Sequence, residues 1–234
     1  MGSSRGLGKA IALAFARQGV KGLVVNSRQQ SSSESLVEKL FESCKEHFGC
    51  PITTVVNNAL ADFSFNGDAR SKLDTILWQE FDKQLRAALH GMRECGFGRI
   101  INIGSNLVQN PVVPYHDYTA YVENLPNQIQ DVVVDLSDHI LSAKGALLAF
   151  THTAAAELGP YNITVNLVSG GLLKTTDASA STPEAVFKTV ENATPLRKST
   201  TPEEMADAIL FFASPWSRAV TGQSICVDGG LVMS

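Results

Sequence analysis

Short apolar runs alternate with stretches of helical pattern along almost the whole chain. Leu23–Val25, Ile52–Val56, Ile100–Ile103, Ile163–Val168 and Ser224–Val227 read as five short buried strands. Lys9–Gln18, Ser35–His47, Leu77–Cys95, Lys144–Leu158, Pro183–Asn192 and Pro202–Ala213 read as helices around them. Strands alternating with helices predict an α/β chain with a doubly wound, mostly parallel sheet. No repeat, low-complexity linker or shift in composition divides residues 1–234, so they read as a single domain.

Two stretches break the alternation. After Ser27 the chain runs through Gln29–Ser33 straight into the Ser35–His47 helix, which leaves one crossover between the strands at Leu23 and Ile52. Tyr121–Ser142 is polar, then apolar at Val132–Val134, then acidic, and it falls where a helix should begin. These 22 residues read as an atypical insert, 121–142.

Composition narrows the partners. A formal charge of −4 and a pI near 5.7 give no basic footprint, so nucleic acid is not expected as a partner. No apolar stretch approaches the roughly 18 residues of a membrane span, so no membrane association is expected either. Cys44, Cys50, Cys95 and Cys226 show no CxxC spacing, which argues against a zinc site or disulfide framework. No metal site is expected. A reduced intracellular compartment, cytoplasmic or organellar, fits this cysteine usage.

The opening residues, Met1-Gly2-Ser3-Ser4-Arg5-Gly6-Leu7-Gly8, form a glycine-rich loop directly before the first helix. Glycines at 2, 6 and 8 suit a sharp turn, a close backbone approach to phosphates and tight helix packing. The unpaired N–H groups and dipole of the following helix suit a pyrophosphate. Such a loop normally follows a strand. None precedes Gly2, so the N-terminus reads as truncated and the dinucleotide-binding plan as incomplete.

Five further elements fall in order behind that loop: Asn57-Asn58-Ala59-Leu60 after a strand; Ile100-Ile101-Asn102-Ile103-Gly104-Ser105; Tyr118, thirteen residues after Ser105; Asn166-Leu167-Val168-Ser169-Gly170-Gly171 with Thr175 beyond it; and Thr221-Gly222-Gln223 with Val227-Asp228-Gly229-Gly230. Together the six elements resemble the short-chain dehydrogenase/reductase family, and within it the 3-oxoacyl-acyl-carrier-protein reductases. The resemblance implies a Rossmann-like sheet lacking its first strand and one helix–strand unit. It implies an oxidoreductase that moves a hydride between a nicotinamide cofactor and a carbonyl or alcohol carbon of a small-molecule or acyl-thioester substrate. Fatty acid biosynthesis is the corresponding setting.

Carried over by position, Ser105 orients the substrate oxygen, Tyr118 is the general acid/base, and Lys144 lowers the phenol's pKa and holds the nicotinamide ribose. The cofactor would rest on Gly2, Ser4, Arg5, Gly6, Leu7, Gly8, Asn26, Ser27, Arg28, Asn58, Ala59, Tyr118, Lys144, Gly171, Leu173 and Thr175. Where NAD-dependent enzymes carry an acid after the second strand, this chain has Asn26-Ser27-Arg28. With Arg5 in the glycine loop, that points to the 2′-phosphate of NADP(H). Trp216 and the strand over Gln223–Gly230 resemble the family's dimer-forming end, so a homo-oligomer is expected.

The chain also departs from the pattern. The family's tyrosine and lysine stand four residues apart, yet Tyr121–Ser142 separates Tyr118 from Lys144, and no YxxxK occurs anywhere. Leu60 replaces the glycine of NNAG, and the proline of the Asn166–Gly171 element is missing. The run Val132-Val133-Val134-Asp135 resembles a displaced copy of the absent strand and its acid. Gaps and abrupt joins of this kind are what an altered splice form or gene model leaves behind. The alternative reading is therefore a catalytically silent Rossmann-like protein that binds a nucleotide or a sister subunit.

Overall fold

The computed structural model describes residues 5–25, 34–58, 78–110, 139–176, 179–180 and 182–233. Four strands, β1 (Thr54–Asn57), β2 (Gly98–Ser105), β3 (Ile163–Gly170) and β4 (Ser224–Val227), pair in that order, every neighbour parallel. Among the described residues six helices accompany them: α1 (Gly6–Arg17), α2 (Glu34–Phe48), α3 (Trp78–Cys95), α4 (His139–Leu158), α5 (Glu184–Ala193) and α6 (Pro202–Ala213).

The two central strands are buried along their whole length except at Gly104, as expected of continuous apolar runs covered on both faces. Alternation along β2 divides its side chains between two cores. Ile101 and Ile103 join Val168 beneath α1 and α6, in a layer with Ile11, Phe15, Met205, Ile209 and Phe212. Ile100 joins Ile163 and Val165 on the opposite face, against Ala88 and Met92 of α3 and Ala154, Ala155 and Leu158 of α4. Helices on both faces of one parallel sheet are the doubly wound arrangement read from the sequence.

The helix most plainly encoded is α6. The Thr201 side chain accepts from the Glu204 amide, Glu204 accepts in return from the Thr201 amide, and Pro202 takes the first helical position. Met205, Ala206, Ile209 and Phe212 then repeat at helical spacing and are all buried.

Three elements differ from expectation. Leu23–Val25 is not a strand. Its side chains stand 37–56% exposed, beside a cavity of about 420 Å³ that they line together with Gly8, Phe15, Phe41 and Thr54–Val56. The physical reason is pairing: β1 is the edge of the described sheet, and an apolar run becomes a strand only when a neighbour takes its amides and carbonyls. Second, β1 begins at Thr54 rather than Ile52 and extends to Asn57. Third, α4 starts at His139, so the last residues of the expected insert are helical and Lys144 lies inside the helix rather than at its first residue. The stretch resembling a displaced strand, Val132–Val134, lies outside the described residues.

Candidate active site

Parallel strands in register end together, and their carboxyl ends face the same side. Ser105 is the last residue of β2; it stands opposite Gly170 of β3, which stands opposite Val227 of β4. In open α/β sheets this is the edge at which ligands bind. Ser105 is buried, at 7% exposure, and caps a single 3-10 turn over Asn106–Val108: its Oγ accepts from the Leu107 amide at 3.4 Å. Its hydroxyl proton has no acceptor among the described residues and is available to a substrate oxygen.

Lys144 reaches the same strand from α4. It lies on the buried stripe that continues through Leu147, Thr151, Ala155 and Leu158, a position that would ordinarily carry an apolar residue. Its Nζ donates to the carbonyl of Ile103, two residues before Ser105. Burial pushes the ammonium down from the usual lysine range to about 8, because removal from water penalises the charged form.

A buried polar relay fixes the helix that carries it. Asn57 at the end of β1 donates to Asn102 Oδ1 (2.8 Å), Asn102 donates to Thr151 Oγ1 (2.9 Å), and Thr151 donates to the carbonyl of Leu147 (2.7 Å). Asn102 and Thr151 are both fully buried. Thr151 lies two helical turns beyond Lys144, so the bond that sets its azimuth also turns Lys144 toward the sheet. Sequence reasoning assigned neither residue a role. The only trace was a polar side chain inside the apolar run Ile100–Ile103, on a strand with two buried faces.

The glycine loop meets this edge through α1. The helix starts at Gly6, whose φ of +54° suits glycine, with Arg5 as an N-cap that makes no side-chain capping bond and no acid in the first turn. The first-turn amides are thus not taken up by a capping side chain, and no local carboxylate would repel an anion. The chain leaving β3 passes close by: a β-carbon on Gly6 would lie 3.9 Å from Thr176. In that segment Leu173 pairs with Thr200 in an isolated bridge, and Thr175 has φ +62° with its hydroxyl on the carbonyl of Lys174. The structure therefore brings Gly6, Leu7 and Gly8 to the same edge as Ser105, Lys144, Gly171, Leu173 and Thr175. Asn58 directly follows β1, beside the Asn57–Asn102 bond. Gly2, Ser4, Asn26, Ser27, Arg28, Ala59 and Tyr118 lie outside the described residues. The donor set at this edge, helix amides with a buried ammonium, fits a dinucleotide with its phosphates at α1.

A serine and a buried lysine thus converge at the carboxyl edge of an open α/β sheet, the edge at which such sheets bind ligands. A family profile described as enoyl-(acyl carrier protein) reductase matches residues 124–232. The 3-oxoacyl-acyl-carrier-protein reductase of Pseudomonas aeruginosa is 28% identical over 266 aligned positions, covering 100% of this chain and 96% of its own. That of Thermotoga maritima is 28% identical over 250, covering 99% and 96%. An enoyl-acyl-carrier-protein reductase (NADH) of Bacillus subtilis is 42% identical over a shorter stretch of 89, covering 38% of this chain and 34% of its own. Among solved structures, YwfH, an NADPH dependent reductase involved in bacilysin biosynthesis, superposes with a TM-score of 0.74 at 23% identity, covering 100% of this chain and 97% of that one. A gluconate 5-dehydrogenase from Burkholderia cenocepacia, in complex with NADP and tartrate, gives 0.73 at 22%, covering 99% and 92%. Over nearly its whole length the chain is thus similar to 3-oxoacyl-acyl-carrier-protein reductases, in keeping with the resemblance to the short-chain dehydrogenase/reductase family carried by its motifs. Among the described residues, no helix is long and apolar enough to cross a membrane.

Proposed function

We propose that this protein uses NADPH to reduce the ketone of a 3-oxoacyl thioester, or a similar carbonyl, to an alcohol. The observation that supports it best is the convergence of Ser105 and Lys144, from β2 and α4, at the end of one strand. Bound NADPH would supply the hydride. The Ser105 hydroxyl donates to the substrate oxygen and fixes the carbonyl's direction. Tyr118 gives the proton that turns the developing alkoxide into an alcohol, and the positive charge of Lys144 lowers the cost of leaving that phenol ionised. Gly6, Leu7 and Gly8 would receive the pyrophosphate at the helix start, with Gly2 and Ser4 completing the loop.

NADP(H) rather than NAD(H) follows from charge: Arg5, and Arg28 behind Asn26 and Ser27, suit a 2′-phosphate. The two structural neighbours whose names mention NADPH or NADP support this preference, while the Bacillus subtilis relative named for NADH is the counter-example. A second copy of the chain is the natural cover for Trp216 (83% exposed) and Phe211 (41% exposed) at the end of α6, so we expect a homo-oligomer.

Acetoacetyl and crotonyl thioesters, each offered with NADPH, test this reading. Turnover of the first alone supports ketone reduction. Turnover of the second alone would assign the site to a carbon–carbon double bond. NADPH binding without turnover of either would show the silent nucleotide-binding protein.

A further inference from the structure

The row of residues just past the ends of β2, β3 and β4 is Asn106, Gly171 and Asp228, one step beyond the registered Ser105, Gly170 and Val227. Asn106 and Asp228 follow strands that do not pair with each other, yet their side chains meet: Asn106 Nδ2 donates to Asp228 Oδ2 at 2.8 Å. Both are 4% exposed. They can meet only because the residue between them has no side chain. A β-carbon on Gly171 would lie 2.8 Å from Asp228 Cβ and 3.2 Å from Asn106 Nδ2.

Asp228 is itself held firmly. Its Oδ1 accepts from the Gly230 amide and its Oδ2 from the Val232 amide, both at 3.1 Å. The carboxylate thus anchors the turn after β4 and presents a buried charged acceptor to Asn106, and bonds of that type exceed neutral ones in strength. Asn106 in turn organises the segment that carries Ser105. Its carbonyl accepts from the amides of Gln109 (3.1 Å) and Asn110 (2.9 Å), while Ser105 caps the same turn through Leu107.

We propose that Asp228 and Asn106 form a clamp across Gly171 that holds Ser105 in its productive orientation. Asp228 is a positioning residue: it acts on the reacting oxygen only through Asn106 and the turn that Ser105 caps. The bond ties the exits of β2 and β4, and Gly171 at the exit of β3 packs against it, so movement of the turn that Ser105 caps would strain the exit of β4. The inference rests on the ketone-reductase reading for its kinetic consequence. Its geometric consequence, a protected turn at 106–110, stands apart from that reading.

The test compares Asn106→Ala and the isosteric Asp228→Asn with the unaltered chain, using NADPH and acetoacetyl-CoA. Misplacing a reacting group by about 1 Å can cost on the order of a hundredfold, so a loosened Ser105 should lower kcat by at least about tenfold. KM for the thioester and Kd for NADPH should stay within about twofold, because neither side chain is assigned to substrate or cofactor. Retention of kcat in both variants, even with a lower melting temperature, would show a purely structural bond and overturn the proposal. If the unaltered chain shows no turnover, the reductase reading fails, and amide exchange decides the clamp. At least about tenfold faster exchange at Leu107 in Asn106→Ala supports it, and unchanged exchange overturns it.

Discussion

The ammonium of Lys144 donates to the backbone carbonyl of Ile103, two positions before Ser105, and no carboxylate among the described residues pairs with it. A buried cation held by one carbonyl is costly to fold. The structure thus places a destabilising group where the proposed chemistry needs it.

That cost has a definite sign. Lys144 titrates near 8 in the folded protein against 10.5 for an ordinary lysine, so between those values the unfolded chain binds more protons. Stability attributable to this group therefore rises as pH increases from about 8 to about 10.5, and the penalty is fully present below 8. Lys144→Met should stabilise the apoprotein at pH 7 by up to about 3 kcal/mol, less the lost hydrogen bond, and the advantage should vanish by about pH 10.5. Urea unfolding of both proteins at several pH values checks this. A Lys144→Met protein less stable than the parent at pH 7 would show that the lysine is better paired than this geometry allows.

Activity should move in the opposite direction. If the charge on Lys144 is what lowers the phenol's pKa, kcat/KM for reduction should fall as pH rises past about 8, as the free enzyme loses that proton. Lys144→Met should lose nearly all turnover at every pH. A profile flat from pH 7 to 9.5 would separate the lysine from the chemistry.

The Asn57–Asn102–Thr151 relay predicts a stability loss of a different origin. Thr151→Val keeps the shape but leaves the buried amide of Asn102 without its acceptor, which should cost about 1–3 kcal/mol. Thr151→Ser should recover most of it, because the hydroxyl is what the relay uses. Denaturant midpoints for the three proteins give the comparison, and equal losses in the serine and valine variants would point to packing instead.

At the start of α6, Thr201→Ala removes the side-chain half of the capping box and should cost about 1 kcal/mol, or roughly 2–4 °C in Tm for a chain of this size. Thermal melting would reveal it, and no change would mean that the Glu204 contact alone secures the helix start.

Arg28→Glu tests cofactor choice, since it replaces the proposed partner for the 2′-phosphate with a like charge. NADPH affinity should weaken by about tenfold or more while NADH affinity holds or improves. Equal effects on both would remove Arg28 from the phosphate site.

Local signals were legible wherever sequence neighbours suffice. The bounds of α6 and β4 follow directly from the capping box with its apolar stripe and from the run Ser224–Val227. The ends of β2 and β3 were underestimated, since Gly104, Ser105, Ser169 and Gly170 are not apolar and are held in their strands by register. Leu23–Val25 looked like a strand because hydrophobicity was the only cue, whereas strand formation depends on a neighbour that local sequence does not reveal. The site divides in the same way. Ser105 and Lys144 could be singled out by their positions within the resemblance. The partners that orient them, Thr151 for the helix and Asp228 for the serine turn, sit 49 and 122 residues from the side chains they bond, and no spacing rule reaches that far.

The central claim is hydride delivery to a carbonyl held beside Ser105, and isotope transfer tests it most directly. The protein is incubated with acetoacetyl-CoA and NADPH deuterated at the transferable position of its nicotinamide, and the product is analysed by mass spectrometry. The account predicts 3-hydroxybutyryl-CoA carrying one deuterium on the hydroxyl-bearing carbon, and no such product from Ser105→Ala beyond a trace. A hydroxyacyl product without deuterium, or none from the unaltered chain, would contradict it.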